Sequence, residues 1–169
     1  SSIVVRLYAA QLCLYGGTIQ GGDYGVYSNN SSVELFGGSI TGNTIGVDGS
    51  SYDSLTIGGD AKVINNTTKN LALLRKSVIS IDKSLTSNAR IGISTFTEPS
   101  ANANIKIATG ATNSELDYAQ IFTPDTSEQK YVVTKDEKGN LYMGLHQHSW
   151  TYTTGGDDTI KVTCSADGC

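Results

Sequence analysis

The side chains best suited to metal chemistry lie near the end of the chain. His146 and His148 are its only 2 histidines, and Cys164 and Cys169 are two of its 3 cysteines. On a strand the two histidines point to one face, and a turn at residues 155–158 returns Cys164 opposite them. Imidazole and thiolate are ligands of tetrahedral zinc, so these four residues predict a structural zinc site. A Cys164–Cys169 disulfide and thiols that are free or paired between molecules are the alternatives.

Paired carboxylates are the second chemistry to consider, because two acids about 5 to 9.5 Å apart can cleave glycosides. Asp48 and Asp53 flank one predicted turn and are the best candidates in the first part of the chain. Acids in turns next to Gly and Ser usually accept hydrogen bonds from the backbone. The pattern therefore favours turn caps over catalysis, and we expect no enzymatic activity.

A repeat of about 21 residues must position all of these groups. Glycine pairs recur at equal intervals, at residues 16–17, 37–38 and 58–59. Gly25-Val26 matches Gly46-Val47 in the same register, and Asn65-Asn66-Thr67 matches Gly42-Asn43-Thr44 after a small insertion. Each copy holds short alternating apolar triplets separated by Gly, Asn, Asp and Ser, which indicates strands joined by turns.

This period is typical of one coil of a parallel β-helix. We predict an all-β fold, a right-handed parallel β-helix of five to seven coils over residues 1–144, with closing coils or a terminal sheet at its end. Ile19 and Ile40 are expected to occupy equivalent inward positions in adjacent coils. Residues 145–169 predict a C-terminal β-hairpin that begins a further module or packs on the end of the solenoid.

Strand alternation also identifies candidate binding residues, because flat aromatic rings can stack on sugars. If the apolar triplets point inward, Tyr15 and Phe36 point outward on adjacent coils. The alternative is that both turn into the core beside the corner glycines. Tyr24, Tyr27 and Tyr52 lie near turns and are predicted to be exposed contacts.

Charge and hydropathy exclude several classes of partner. The net charge is −4 and the 12 Lys and Arg residues are spread along the chain. They form no basic stripe, so neither nucleic acid nor an anionic membrane is predicted as a partner. No apolar run reaches the roughly 18 residues of a transmembrane helix, and the first residues lack the features of a signal peptide. We interpret the chain as part of a longer protein that carries targeting and anchoring segments elsewhere.

The repeats resemble a known family. Segments of the type Gly-Gly-Thr-Ile-x-Gly-Asn-Thr, here at 16–20, 37–44 and 58–67, resemble right-handed β-helix regions of large secreted or wall-anchored proteins of Gram-positive, often gut, bacteria. Residues 70–142 are similar to the way those β-helices end, and residues 146–164 resemble a short module that follows them. The resemblance implies an extracellular or cell-surface location and no assigned chemistry.

These observations predict a non-catalytic structural or adhesive segment of a bacterial surface protein. Its expected partners are glycans, or proteins of a host or cell surface. No cofactor is predicted apart from the zinc alternative. The competing interpretation is a fragment of a polysaccharide-active β-helix enzyme, a lyase or a glycosidase.

Overall fold

A computed structural model describes residues 1–126, 130–146, 150–154 and 159–164. Strands dominate this part of the chain, with one short helix, α1, at Tyr118–Ile121. The strands of the first three coils are β1 (Ile3–Tyr8), β2 (Gln11–Leu14), β3 (Thr18–Ile19), β4 (Tyr24–Asn29), β5 (Ser31–Leu35), β6 (Ser39–Ile40), β7 (Ile45–Gly49), β8 (Tyr52–Ile57) and β9 (Lys62–Val63). The remaining strands are β10 (Lys69–Leu73), β11 (Ile79–Ile81), β12 (Arg90–Thr95), β13 (Ile105–Thr109), β14 (Phe122–Pro124), β15 (Tyr131–Lys135), β16 (Asn140–Leu145), β17 (Trp150–Thr154) and β18 (Ile160–Cys164).

The strands stack in three parallel columns. The first column holds β1, β4, β7 and β10, the second holds β2, β5, β8, β11 and β13, and the third holds β3, β6 and β9. Strand β12 spans a corner, since Ile91 pairs with Val63 of the third column and Ile93 pairs with Leu71 of the first. The result is a β-solenoid of about 4 turns, one turn or more short of the predicted number.

The coils average about 22 residues, slightly more than the predicted 21. Leu12 pairs with Val33, which keeps the shorter spacing, whereas Val33 pairs with Leu55 one residue later. The difference arises at the start of β8, where the register shifts between the neighbouring pairs of Ser31 and Ser32. Later coils lengthen further because residues are added at the corners.

The core runs along the axis of the solenoid. Ile19 pairs with Ile40, which in turn pairs with Val63, and all three side chains are buried. The predicted equivalence of Ile19 and Ile40 is therefore confirmed. Each inward residue buries its apolar surface on its counterpart in the next coil, which is how a short solenoid obtains a continuous core.

A ladder of buried amides also runs along the interior at one corner. Asn43 Nδ2 donates to Asn66 Oδ1 at 3.0 Å, and Asn66 Nδ2 donates to Asn70 Oδ1 at 3.0 Å. Asn70 Nδ2 donates to Asp125 Oδ1 at 2.6 Å, and Ser94 Oγ donates to Asp125 Oδ2 at 2.8 Å. The same amide groups donate to main-chain carbonyls, among them those of residues 19 and 40, so the buried polar groups of this corner satisfy one another.

Three glycines make room for the amide ladder. A Cβ on Gly25 would lie 2.8 Å from Asn43 Nδ2, and a Cβ on Gly46 would lie 2.6 Å from Asn66 Nδ2. Gly92 faces the side chains of Asn70 and Asp125 in the same way. The repeated Gly-Val pairs of the sequence therefore combine a gap for an amide with a buried valine beside it.

The solenoid ends in a terminal sheet, one of the two predicted endings. Strand β16 pairs antiparallel with β13 and with β15, while β14 adds a parallel strand to β12. The helix α1, which lies between β13 and β14 in the chain, was not predicted, because a segment of four residues is too short to show a helical period. Asp117 caps its N-terminus, because Asp117 Oδ1 accepts hydrogen bonds from the amides of Ala119 and Gln120.

The predicted C-terminal hairpin is present as β17 and β18. Trp150 lies opposite Cys164 and Tyr152 opposite Val162, so one face of this hairpin carries apolar side chains. Among the described residues, these two strands pair with each other and with no other strand. No helix in the described part of the chain is long and apolar enough to cross a membrane.

Candidate functional site

The most distinctive surface feature is a stacked pair of aromatic rings, Tyr15 and Phe36. Their centroids are 5.3 Å apart and their planes differ by 13°. Tyr15 is 73% exposed, whereas Phe36 is half-buried and would lie 2.8 Å from a Cβ on Gly58. Phe36 thus packs on the next coil, and Tyr15 extends the stack outward.

The position of this pair follows from the local sequence. Each ring comes directly after an inward residue of β2 or β5 and points outward by strand alternation. The chain turns later, at Gly17 and Gly38, which have φ of 81° and 72°. The alternative in which both rings turn into the core beside the glycines is wrong for this reason.

Polar side chains line the face next to the aromatic pair. Gln11 Nε2 donates to Glu34 Oε1 at 2.9 Å, and the Cys13 thiol donates to Glu34 Oε2 at 3.5 Å. Desolvation, the hydrogen bond to Glu34 and its negative charge raise the pKa of the exposed Cys13 thiol. Cys13 is therefore a weak nucleophile, and the cluster offers hydrogen-bonding groups rather than reactive ones.

Tyr24 and Tyr27 form a second aromatic group on the first column. Their rings meet edge to face, with centroids 5.4 Å apart. The guanidinium carbon of Arg6 lies 5.7 Å from the centroid of Tyr27, which pairs with Arg6 on one side and Asp48 on the other. Both tyrosines are half-buried, so they are less exposed than predicted, and their role as contact residues stays a prediction.

Tyr52 differs from its predicted role as an exposed contact. Its ring is half-buried and packs against the core, and its hydroxyl donates to the carbonyl of Ala72 at 3.1 Å. Burial, with a smaller effect from Asp48, raises the pKa of the Tyr52 phenol far above its ordinary value. The hydrogen bond and the packing give Tyr52 a structural role between two coils.

The two candidate carboxylates occupy different settings around one turn. Asp48 is half-buried, and its Oδ1 accepts a hydrogen bond from the amide of Gly49 at 2.7 Å. Asp53 is exposed and lies near the start of β8, at the position where the register shifts. Asp48 thus has the backbone-capping contact expected of a turn acid.

Two of the four residues predicted to bind zinc, His148 and Cys169, lie outside the described part of the chain. Cys169 is also the predicted disulfide partner of Cys164. Cys164 is disulfide-bonded, and the backbone amide of His146 donates to the carbonyl of Lys130 at 2.8 Å. Among the described residues, no three His, Cys, Asp or Glu side chains gather as a metal site. The pairing of Cys164 with Cys169 and the binding of zinc both stay predictions, and zinc would require the thiolate that the disulfide removes.

Sequence reasoning missed two grooves near the terminal sheet. One, of about 820 Å³, is lined mainly by small and neutral residues such as Ala101, Asn102 and Asn104. The other, of about 430 Å³, lies between residues 73–78, 95–97 and 105–106. The first is bounded by strands β15 and β16 and by residues 101–104, and the second by the segments that follow β10 and β12. Both bring together parts of the chain from different coils, so no pattern within one repeat could reveal them.

Comparisons with known proteins leave the chain to be interpreted from its own geometry. No family model, no curated protein and no solved structure matches it. The solenoid fold rests on the register of its strands, and any function must be argued from its exposed residues.

Proposed function

We propose that this chain is a non-catalytic, extracellular segment of a surface protein that acts as a stalk and binds glycans on its outer face. The stacked pair of exposed Tyr15 and half-buried Phe36 carries the proposal. The resemblance of the repeats to Gram-positive bacterial surface proteins supports the location. The disulfide at Cys164 supports it too, because disulfides persist in oxidising compartments.

The chemistry of the pair suits a neutral sugar. The outer side of Tyr15 offers an aromatic surface on which the C–H groups of a pyranose can stack. Glu34 and Gln11, whose side chains are joined at 2.9 Å, offer acceptor and donor groups for sugar hydroxyls beside it. Gln11 and Glu34 lie on the paired strands β2 and β5, and Tyr15 and Phe36 directly follow those strands. The backbone of the surface is thus ordered before binding, which lowers the entropy cost of binding.

The test is a titration of the protein with a panel of neutral oligosaccharides, followed by heteronuclear NMR. We expect Tyr15→Ala to weaken binding about tenfold, which corresponds to about 1.4 kcal/mol and the upper range for an aromatic contact. Tyr8→Ala is the matched control, because Tyr8 is also 73% exposed and has no ring partner among the described residues. Absence of binding across the panel, or equal losses in both variants, would refute the proposal.

The competing enzyme interpretation has its own test. We expect incubation with pectin-like and other polysaccharides to release neither reducing ends nor unsaturated products, since Asp48 is used as a turn cap. Turnover that disappears in Asp48→Asn or Asp53→Asn would establish the enzyme and overturn the non-catalytic proposal.

A further inference from the structure

The groove of about 430 Å³ lies at the corner between the first and second columns. One wall is the turn that follows β10, which is closed by a hydrogen bond from the Ser77 amide to the carbonyl of Leu74 at 2.9 Å. The other wall is the segment that follows β12 and begins at Phe96. The two walls are adjacent because Leu73 pairs with Thr95.

The groove is cationic in a protein whose net charge is −4. Its lining includes Arg75, Lys76 and Lys106 and no carboxylate among the described residues. Within the described part of the chain, none of these cations forms an ion pair. The nearest acid in sequence to Phe96, Glu98, is engaged by Lys130 at 3.0 Å, so it does not neutralise the groove.

The aromatic ring of Phe96 lies against one of these cations, Arg75. Phe96 is 58% exposed, and the guanidinium carbon of Arg75 lies 4.8 Å from its ring centroid. An arginine held over a ring keeps its planar donors available for an anion with two oxygens. The backbone of Lys76 has a φ of 65°. Residues other than glycine rarely adopt this left-handed conformation, and those that do are often found at functional sites.

The floor of the groove is apolar, with Leu73 buried and Val78 and Ile105 half-buried. A ligand that fits must therefore carry a negative group for the cations and a nonpolar surface for the floor. A sugar ring with a carboxylate or a sulfate ester has both properties, since its C–H groups form a nonpolar face.

We propose that this groove binds an acidic carbohydrate unit, with Arg75 holding its carboxylate or sulfate oxygens and Lys106 adding a second positive charge. The inference rests on the proposed function, because it names a class of glycan for the same protein. It concerns a different surface from Tyr15 and Phe36. Three cations on a groove of this size suit one or two sugar units better than a nucleic acid, whose binding needs a longer basic track.

Binding is tested by calorimetry with an oligogalacturonate, a sulfated oligosaccharide, a neutral oligosaccharide of equal length and a single-stranded oligonucleotide. We expect one or both acidic sugars to bind, with an affinity that falls as salt is raised. Arg75→Gln should weaken that binding at least tenfold, and Phe96→Ala should weaken it severalfold. The two acidic probes distinguish a carboxylate ligand from a sulfate ligand.

Lys69→Gln is the matched control, since Lys69 is an exposed cation of β10 that does not line the groove. It should bind the acidic sugar as the unaltered protein does, and thermal unfolding should be equal in all variants. Tyr15→Ala should also leave acidic binding unchanged, so loss of binding at one surface is distinguishable from loss at the other. Equal effects of Arg75→Gln and Lys69→Gln, tighter binding of the oligonucleotide, or no acidic binding at all would overturn the inference.

Discussion

Single residues of the amide corner determine which substitutions the solenoid tolerates. At Gly46 a methyl group would overlap the amide of Asn66 and the main-chain carbonyl of Asn70. At Gly16, by contrast, an added methyl group would meet nothing within 4 Å. The two positions carry the same residue type in opposite surroundings, so they form a natural pair for substitution.

We expect Gly46→Ala to lower the free energy of unfolding by about 1 to 3 kcal/mol, the usual cost of overpacking. Gly16→Ala should have no cost or should stabilise the protein by a few tenths of a kcal/mol, because alanine restricts the unfolded chain. Urea denaturation of both variants measures the difference. Equal stabilities would show that the amide corner can shift without cost.

The amide of Asn66 is the middle rung of the ladder. It donates to the carbonyls of Ile40 and Ile64 and accepts from the amide of Asn43. Asn66→Ala removes the side-chain partner of two buried groups, the Ile40 carbonyl and the Asn43 amide, and each costs about 1 to 3 kcal/mol when it is left unpaired. We expect a total loss of about 3 kcal/mol in urea denaturation.

Asn88→Ala is the control for that variant, because Asn88 is exposed and its side chain has no hydrogen bond among the described residues. It should unfold as the unaltered protein does. A loss below about 1 kcal/mol in Asn66→Ala would mean that water replaces the amide and that the ladder adds little stability.

At the scale of elements, the hairpin of β15 and β16 depends on one carboxylate in its turn. Asp136 Oδ1 accepts from the amides of Lys138 and Asn140, and its Oδ2 accepts from Asn140 Nδ2 at 2.7 Å. The hydrogen bonds from Asn140 and Lys138, with a weaker one from Tyr142, lower the pKa of Asp136. The ionised carboxylate therefore favours the folded hairpin.

A lowered pKa in the folded state means stability that is present above the unfolded pKa, which is about 3.9, and lost as the pH falls through the folded value. We expect Asp136→Asn to unfold at a lower temperature than the unaltered protein at pH 7. The difference should shrink as the pH falls below about 4. Thermal unfolding at both pH values measures it.

Glu137→Gln serves as the control, because Glu137 is the exposed neighbour and forms no ion pair among the described residues. Its unfolding temperature should not differ from that of the unaltered protein at pH 7. If Asp136→Asn and Glu137→Gln behave alike, net charge rather than the turn contacts would explain the effect.

The elements also show what the sequence could reveal. The spacing of the glycine pairs predicted the stacking of Ile19 on Ile40, because a fixed period forces equivalent residues into one column. The match of Asn66 with Asn43 was visible too, but asparagine is more common in turns, and its place inside the core depends on the gap left by Gly46. Grooves between loops of unlike length, such as that beside Phe96, have no repeat signal at all.

The outward direction of Tyr15 and Phe36 does not follow from the sequence for a related reason. Strand alternation sets the direction of Tyr15 only if the turn begins after it, and φ at Gly17 decides where the turn begins. A glycine pair offers two positions for that turn, and the sequence does not distinguish them.

At the scale of the whole molecule, stability depends on contacts between neighbouring coils. Strand β7 pairs with β4 on one side and β10 on the other, whereas β1 pairs with β4 alone among the strands that the structure describes. In a solenoid each coil contacts only its neighbours, so a coil with one partner opens at a lower free energy than a coil with two. When the 169-residue chain is studied by itself, β1 should therefore be less protected than β7.

We expect backbone amides of β1 to exchange with deuterium at least tenfold faster than those of β7, which corresponds to an opening free energy lower by about 1.4 kcal/mol or more. Hydrogen exchange with peptide-resolved mass spectrometry measures this, and Val5, Val26 and Val47 give an ordered series because they occupy one register. Protection should rise along that series. Uniform protection would show that the four turns unfold as one cooperative unit. In that case Gly46→Ala would lower the protection of β1 and β7 equally, whereas in the expected case it lowers mainly the protection of the coils next to Gly46.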